Sequence, residues 1–107
     1  MPDKINVLFL ARSKPERVDE FLAAAKKMMA VAKEEDGCRS FAYHRNKKDP
    51  LQFFLYESWR DRTALDGHLE GLRSMFGPCD EGQRLPAKLL AFWDEWSAEM
   101  YGIVIDL

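Results

Sequence analysis

The feature that most constrains the fold is a pair of strand-like segments that carry apolar residues on both faces. Residues 5–12 (INVLFLAR) and 51–56 (LQFFLY) are rich in aliphatic and aromatic side chains, and neither segment alternates cleanly between apolar and polar positions. A strand of this kind is normally covered on both sides. The sheet that contains these strands therefore needs a cover over each of its two faces.

An amphipathic helix is predicted after the first strand. Ser13 and Glu16 have the spacing of a capping box, in which the Ser hydroxyl accepts from a first-turn N–H and the Glu carboxylate reaches back. Pro15 suits the first turn of a helix, and Gly37 is expected just past the helix end. The apolar stripe of this helix comprises Val18, Phe21, Leu22, Ala25, Met29 and Ala32.

A hairpin and a second helix are predicted next. Residues 38–46 and 51–60 are strand candidates, and the polar turn at 47–50 joins them. Asp61 is expected to cap the helix that follows. The inner face of that helix comprises Ala64, Leu65, His68, Leu69 and Leu72.

The last part of the chain is predicted to form a helix over 85–99 and a final strand over 100–107. The resulting order is β-α-β-β-α-β with one additional helix, which is the ferredoxin-like split arrangement of the α+β class. It predicts a four-stranded antiparallel sheet with helices on one face. At 107 residues the chain has the length of one domain, spanning 1–107.

Helices on one face leave the other face of such a sheet bare. The predicted strands offer little polar surface to water on either side, as shown by Phe9, Phe53, Phe54, Tyr56, Ile103 and Ile105. A soluble monomer rarely exposes several hundred Å2 of contiguous apolar surface. We therefore expect a homodimer in which a twofold copy covers the bare face.

Composition and charge exclude several classes of protein. The net charge of -2 gives no electrostatic reason to expect nucleic acid or an anionic membrane as a partner. Residues 1–4 lead directly into a strand without the apolar core of a signal peptide, which predicts a cytoplasmic protein. In that compartment Cys38 and Cys79 are expected to be reduced thiols.

The usual signatures of metal and nucleotide sites are missing from the sequence. The chain has two histidines, His44 and His68, and no Cys-x-x-Cys, so a structural zinc site is not expected. It also has neither a Gly-rich phosphate loop nor a Gly-x-Ser-x-Gly elbow. Nucleotide binding and serine hydrolysis therefore lack their usual machinery.

An ordered set of short motifs resembles the antibiotic biosynthesis monooxygenase family. The motifs are EDGC at 35–38, DP at 49–50, FFLYESW at 53–59 and ALDGHL at 64–69. Their order is that of the family, over about the first three quarters of the chain. The resemblance implies a dimeric α+β barrel, which agrees with the dimer expected from the apolar strands.

The resemblance also implies an activity. Characterised members of the family oxidise quinols or polyketide anthrones with molecular oxygen and use no metal, flavin or haem. The implied function is therefore a cofactor-independent monooxygenase that acts on a small aromatic quinol, phenol or polyketide-type substrate. The electron-rich phenolate reduces oxygen itself, and the protein supplies a base, orientation and stabilisation of the substrate anion.

Other functions of the same fold stay open. The alternative is a non-oxidative role, either isomerisation or binding of a small metabolite, because a fold does not fix its chemistry. A purely structural dimerisation module is a third possibility, and it predicts no pocket between sheet and helices. Haem degradation is not favoured, because that branch of the superfamily aligns its essential Asn with Leu8, its Trp with His68 and its axial His near Pro78.

His68 and Glu57 are the candidate catalytic residues. His68 lies on the apolar stripe of a helix and should point at the sheet, where imidazole could take a phenolic proton. The competing interpretation is a buried structural histidine hydrogen-bonded to backbone or to Glu57. Glu57 shares its strand parity with Trp59, and it either orients His68 or closes a structural hydrogen bond.

Four further residues are candidates for substrate binding. Asn6 and His44 could offer donors or acceptors to a substrate oxygen, although the pattern favours His44 as an exposed residue at a strand end. Tyr56 could donate into a pocket, but its parity opposite to Glu57 also allows it to face the dimer seam. Trp59 is expected to pack at the corner between strand and helix.

Overall fold

The structure, a computed structural model, describes residues 4–103. Four strands and three helices are present in this part of the chain. In chain order they are β1 (Ile5–Ser13), α1 (Val18–Lys33), β2 (Cys38–Arg45), β3 (Gln52–Trp59), α2 (Arg62–Phe76), α3 (Ala87–Leu90) and β4 (Trp93–Tyr101).

The strands form one antiparallel sheet in the order β2-β3-β1-β4. This order, with α1 and α2 as the two crossover helices, is the ferredoxin-like α+β fold that the sequence predicts. The two strands with apolar residues on both faces, β1 and β3, are the central ones. Central position provides each of them with a hydrogen-bonded neighbour on both edges.

The side of the sheet that faces α1 and α2 is called the inner face, and it carries the core. Burial alternates along β1 and β3, so that Phe9 and Leu55 point inward while Leu10 and Phe54 point outward. On α1 the buried stripe is Phe21, Ala25, Met28 and Ala32. Met28, and not the predicted Met29, therefore completes the stripe that packs on the sheet.

The predicted capping box at the start of α1 is wrong. Ser13 is the last residue of β1, where its N–H donates to the Leu51 carbonyl at 2.8 Å. Its hydroxyl donates to the carbonyl of Lys14 and not to the helix. A 3-10 turn, Pro15–Arg17, leads into α1 without a side-chain cap. Ser13 is held extended by sheet pairing, which removes it from the capping position.

The left-handed glycine after α1 and the cap of α2 are as predicted, although α1 already ends at Lys33. Gly37 follows α1 with φ of 80°, a left-handed conformation that glycine adopts at low cost. A Cβ built there would lie 2.5 Å from the Cβ of Ala64, so a larger residue would also clash. The Asp61 carboxylate accepts a hydrogen bond from the N–H of Ala64 at 2.9 Å and caps α2.

The prediction of a helix over 85–99 is wrong. Only Ala87–Leu90 is helical, and Trp93–Tyr101 is the edge strand β4, antiparallel to β1. Phe92, Trp93 and Trp96 have a spacing compatible with a helix, and this spacing led to the wrong prediction. Pairing with β1 decides otherwise, because that edge of β1 would be left without hydrogen-bond partners if β4 were helical.

The predicted last strand over 100–107 is wrong in its boundaries. Its first two residues end β4, and Ile103 lies beyond the strand. Residues 104–107, including Ile105, lie outside the described residues. Within residues 4–103, no helix is long and apolar enough to cross a membrane.

Candidate functional site

A cavity of about 410 Å3 lies between the inner face of the sheet and the helices. Side chains of all four strands and of α2 line it, together with residues 82–85. The lining is mainly apolar, with a small number of polar groups that include Tyr43, Glu57 and His68. A purely structural module predicts no such pocket, so the cavity argues against that possibility.

His68 lines the cavity and is paired with Glu35, which lies behind it and is not part of the lining. His68 is 5% exposed on the inner face of α2, and its Nδ1 lies 2.6 Å from Oε1 of Glu35. Glu35 lies just past the end of α1, so the pair ties the two helices together. When the neutral imidazole donates its Nδ1 proton to this carboxylate, Nε2 is the nitrogen that can accept a proton.

Aromatic rings fix the orientation of the imidazole. The ring of His68 lies 4.6 Å from that of Trp59 and 5.0 Å from that of Phe41, measured between centroids. Both partners come from the inner face of the sheet. The carboxylate on one side and the rings on the other hold the imidazole in one position, as a proton-transfer group requires.

Glu57 contacts Trp59 and not the imidazole nitrogen. Its Oε1 accepts a hydrogen bond from Nε1 of Trp59 at 2.7 Å. Burial raises the pKa of the Glu57 carboxyl above its usual range, and the Trp59 hydrogen bond and the nearby His68 oppose that rise. The structural hydrogen bond expected for Glu57 is therefore present, and the carboxylate that orients His68 is Glu35.

Tyr43 and Glu35 are the site residues that sequence reasoning missed. Tyr43 is an inward residue of β2 that lines the cavity, and its hydroxyl lies 3.8 Å from the sulfur of Met28. Burial, and then the neighbouring Glu57, raise the pKa of this phenol. A sequence signal existed for both residues, because Tyr43 shares strand parity with Phe41 and Glu35 belongs to the EDGC motif.

The other predicted binding residues lie elsewhere. Asn6, His44 and Tyr56 are on the outer face of the sheet, opposite to the cavity. The Asn6 carboxamide oxygen accepts from the hydroxyls of Ser58 at 2.7 Å and Tyr56 at 3.2 Å. His44 is exposed, and its ring stacks on Phe54 with centroids 4.3 Å apart. The structure therefore separates these three residues from His68.

Trp59 and Cys38 belong to a small core beside the cavity. Trp59 is fully buried and packs with Ala64 and Leu65 of α2, as expected for the corner between strand and helix. A register shift after Cys38 turns its side chain toward this cluster and away from the face of His44. Both described cysteines are unpaired. In residues 4–103, no three His, Cys, Asp or Glu side chains are grouped as metal ligands would be.

Comparison with known proteins identifies the class to which this fold and cavity belong. Residues 5–72 match the sequence pattern of the antibiotic biosynthesis monooxygenase family. This match spans β1 to α2 and includes both members of the Glu35–His68 pair. The chain belongs to the antibiotic biosynthesis monooxygenase family.

One curated relative matches a part of the chain of the same extent. An uncharacterized protein of Synechocystis is 31% identical over 68 residues, which are 64% of this chain and 46% of that protein. The matched region thus spans less than half of the length of this curated relative.

Solved structures share the fold at low sequence identity. Rv0793 from Mycobacterium tuberculosis is 18% identical with a TM-score of 0.78, covering 96% of this chain and 97% of that one. SnoaB from Streptomyces nogalater, described as a cofactor-independent oxygenase, is 13% identical with a TM-score of 0.74, covering 98% and 97%. At these identities the likeness concerns the fold alone.

Proposed function

We propose that this protein is a cofactor-independent monooxygenase that oxidises a small aromatic phenol or quinol with molecular oxygen. The observation that carries the proposal is the His68–Glu35 pair, which presents an oriented imidazole to an apolar cavity. A phenol gives up its electrons more readily as a phenolate. The reaction therefore needs a base in a site that excludes water.

The cavity suits such a substrate in size and character. Its volume of about 410 Å3 falls in the range of small-molecule sites. Rings of Phe9 and Phe41 contribute to its walls, which favours a flat aromatic ligand. Desolvation disfavours the charged form of Glu57. A less charged Glu57 repels a substrate anion less, which helps a phenolate to form nearby.

The proposed reaction begins with proton transfer from the phenol to Nε2 of His68, while Glu35 stabilises the imidazolium. The phenolate passes electrons to oxygen, and a C–O bond forms at a free ring carbon with the proton from His68 placed on the outer peroxide oxygen. His68 then accepts the proton of that ring carbon as the O–O bond breaks. The released hydroxide takes this proton and leaves as water.

This sequence balances with oxygen as the sole oxidant. The phenol and O2 become a quinone and one water, and the imidazole ends neutral as it began. The side chains proposed here therefore act only on protons and charge, by removing, returning and stabilising them.

The direct test is oxygen uptake by the chelator-treated protein with a panel of naphthols and hydroquinones. We expect uptake above the buffer rate, one quinone formed per O2 and no release of oxygen on adding catalase, because water and not peroxide is the product. Ligand binding without uptake across the panel would contradict the proposal. That result would favour the isomerase or binding-protein alternative.

We also propose that two copies pair through the outer face of the sheet. Leu10, Phe54 and Tyr56 lie side by side on β1 and β3 and are 43%, 40% and 41% exposed. Covering such a surface against a twofold copy would bury on the order of 2,000 Å2 in total. Sedimentation at micromolar concentration should show a dimer, and a stable folded monomer would contradict this proposal.

A further inference from the structure

The two carboxyl oxygens of Glu57 have different surroundings. Oε1 accepts the 2.7 Å hydrogen bond from the indole of Trp59. Oε2 has no hydrogen-bond partner among residues 4–103, and it is not one of the unpartnered atoms that packing seals from contact with solvent or ligand. Glu57 lines the cavity although the residue as a whole is only 7% exposed. The free oxygen of this carboxyl group is therefore available to a molecule in the cavity.

Trp59 holds Glu57 and His68 near each other. Its Nε1 donates to Glu57, and its ring lies 4.6 Å from the imidazole, measured between centroids. Phe41 pairs with Glu57 across the two strands, and its ring lies 5.0 Å from the same imidazole. Because Nδ1 of His68 is bound to Glu35, the atom of His68 that stays without a partner is Nε2, which packing does not seal either. One part of the cavity thus contains two free atoms that can transfer protons.

The surroundings of Glu57 also favour a proton on Oε2. In a neutral carboxyl group one oxygen is the O–H donor, and the other keeps its capacity to accept. The indole of Trp59 occupies Oε1 as an acceptor, which leaves the proton to Oε2. Burial raises the pKa of Glu57, although the Trp59 hydrogen bond and His68 oppose the rise. The titratable side chains that interact with Glu57 are His68 of α2, Glu35 after α1, and Tyr43 and Cys38 of β2.

The proposed reaction has a step that needs an acid and a base at the same time. When the O–O bond breaks, the outer oxygen leaves as hydroxide, and a free anion in an apolar cavity is unfavourable. His68 is the base in this step, because it takes the proton of the ring carbon. The same imidazole nitrogen does not accept one proton and donate another at one moment. A neutral carboxyl group near the base removes this conflict.

We propose that Glu57 is a second catalytic residue, whose Oε2 donates a proton to the outer peroxide oxygen while the O–O bond breaks. This inference deepens the proposed function and rests on it. The C–H electron pair forms the second bond of the new carbonyl, the O–O pair leaves with the outer oxygen, and that oxygen becomes water. The proton of the ring carbon is then on Nε2 of His68 and passes to Oε2. Both side chains end as they began, and O2 stays the sole oxidant.

A single turnover with 1-naphthol, a phenol with a free ring carbon, isolates this step. The protein is in excess, and oxygen uptake, quinone and peroxide are measured in acid-quenched samples. The wild-type protein should form one quinone per O2 without accumulating peroxide. Glu57→Gln keeps an acceptor for Trp59 and removes the acidic proton. This variant should consume oxygen at the wild-type rate, accumulate peroxide and form quinone about 100-fold more slowly, the usual contribution of a positioned acid.

Glu34→Gln is the matched control. Glu34 is an exposed carboxylate that caps the end of α1, so its amide variant should form quinone at the wild-type rate without peroxide. Quinone formation at the wild-type rate in Glu57→Gln would overturn the inference. Loss of oxygen uptake in a folded Glu57→Gln protein would also overturn it, because Glu57 would then act before the peroxide forms. Peroxide in both variants would do the same, since the effect would not belong to Glu57.

A second measurement uses the wild-type protein and does not depend on how the variant folds. Glu57 loses the proton that it donates as pH rises, so the peroxide fraction in a single turnover of 1-naphthol should increase with pH. Protonation of His68 acts at the other end of the range, where it removes the base and slows oxygen uptake. A peroxide fraction that stays constant between about pH 5 and pH 9 would overturn the role of Glu57.

The outcomes distinguish this inference from the proposed function. Oxygen uptake with equally fast quinone formation in the wild type and in Glu57→Gln would leave the monooxygenase standing and overturn the acid role of Glu57. No oxygen uptake by the wild-type protein with any naphthol or hydroquinone of the panel would contradict the monooxygenase, and the role of Glu57 would be overturned with it.

Discussion

The two faces of the sheet use similar residues for different purposes. The inner face carries Phe9, Phe53 and Leu55, which the helices bury, and it leaves a cavity beside the Glu35–His68 pair. The outer face carries Leu10 and Phe54, which stay 43% and 40% exposed although the ring of His44 stacks on Phe54. Apolar side chains thus stabilise the protomer on one face and, by our proposal, the dimer on the other.

The largest expected effect comes from placing one charge on either face at adjacent positions. Leu55→Asp buries an unpaired carboxylate in the core and should unfold the protomer, because such changes cost more than about 4 kcal/mol of a total of roughly 5–15 kcal/mol. Phe54→Asp should instead prevent association and give a destabilised, aggregating chain. Circular dichroism and sedimentation would measure both.

The control for this pair is the concentration dependence of the melting temperature. The wild-type melting temperature should rise with protein concentration, because folding is coupled to association. A Phe54→Asp protein with the sedimentation mass and melting temperature of the wild type would contradict the proposed dimer. The outer face would then not be its interface.

The two histidines provide the second comparison, one on each face. His68→Gln should lower oxygen turnover by about 100-fold or more, the usual contribution of a positioned base, with a small change in melting temperature. His44→Gln, which changes an exposed ring stacked on Phe54, should retain turnover. Steady-state oxygen uptake and thermal melts on both variants measure this.

A different result would reassign His68. If His68→Gln lost about 1–3 kcal/mol of stability through an unsatisfied partner while the folded fraction kept full turnover, the residue would be structural. In that case Glu35→Gln should produce the same loss, because Glu35 is the partner at 2.6 Å.

The third prediction concerns pH and Glu57 on the inner face. Burial raises its pKa in the folded protein above the unfolded value of 4.5. The native state therefore binds more protons than the unfolded state between these two pKa values. The free energy of unfolding should fall as pH rises through that window.

Glu57→Gln tests this dependence. The amide can still accept the hydrogen bond from Trp59, but it does not titrate. Thermal melts between about pH 4 and pH 8 should show that the stability difference between variant and wild type shifts in favour of the variant as pH rises. A difference that is constant with pH would contradict the raised pKa of Glu57.

The smallest expected effect belongs to the polar cluster on the outer face. Asn6→Ala removes the acceptor of Ser58, whose hydroxyl is largely buried, and should cost about 1 kcal/mol without lowering turnover. Tyr56→Phe removes a longer, exposed contact to Asn6 and should stay within about 0.5 kcal/mol of wild type. Urea denaturation resolves the first change. A large loss of turnover in Asn6→Ala would instead support the substrate-binding role that the sequence suggested.

Sequence signals that span a few residues predicted most features of the first three quarters of the chain. Asp61 caps α2 and Gly37 follows α1 because each position depends on nearby backbone groups that its residue type satisfies. His68 was assigned to the inner face of α2 by helical periodicity alone. These features depend on spacings of a few residues, which a sequence displays directly.

The end of the chain shows where local signals are insufficient. The segment from Trp93 to Tyr101 carries aromatic residues at a helical spacing, and its strand conformation follows from pairing with β1, about 90 residues earlier. Ser13 failed as a cap for the same reason, because its N–H and its neighbours are occupied by sheet partners that are distant in sequence.

The sequence by itself determined the α+β class, the apolar character of both faces of two strands and the inward position of His68. Only the tertiary structure decided that Glu35 is the partner of His68, 33 residues away, and that Asn6, His44 and Tyr56 lie on the face opposite the cavity. It also decided that the indole Nε1 of Trp93 is buried without a hydrogen-bond partner among residues 4–103. Periodicity fixes the face to which a side chain points, whereas the group that it meets depends on how separate elements pack.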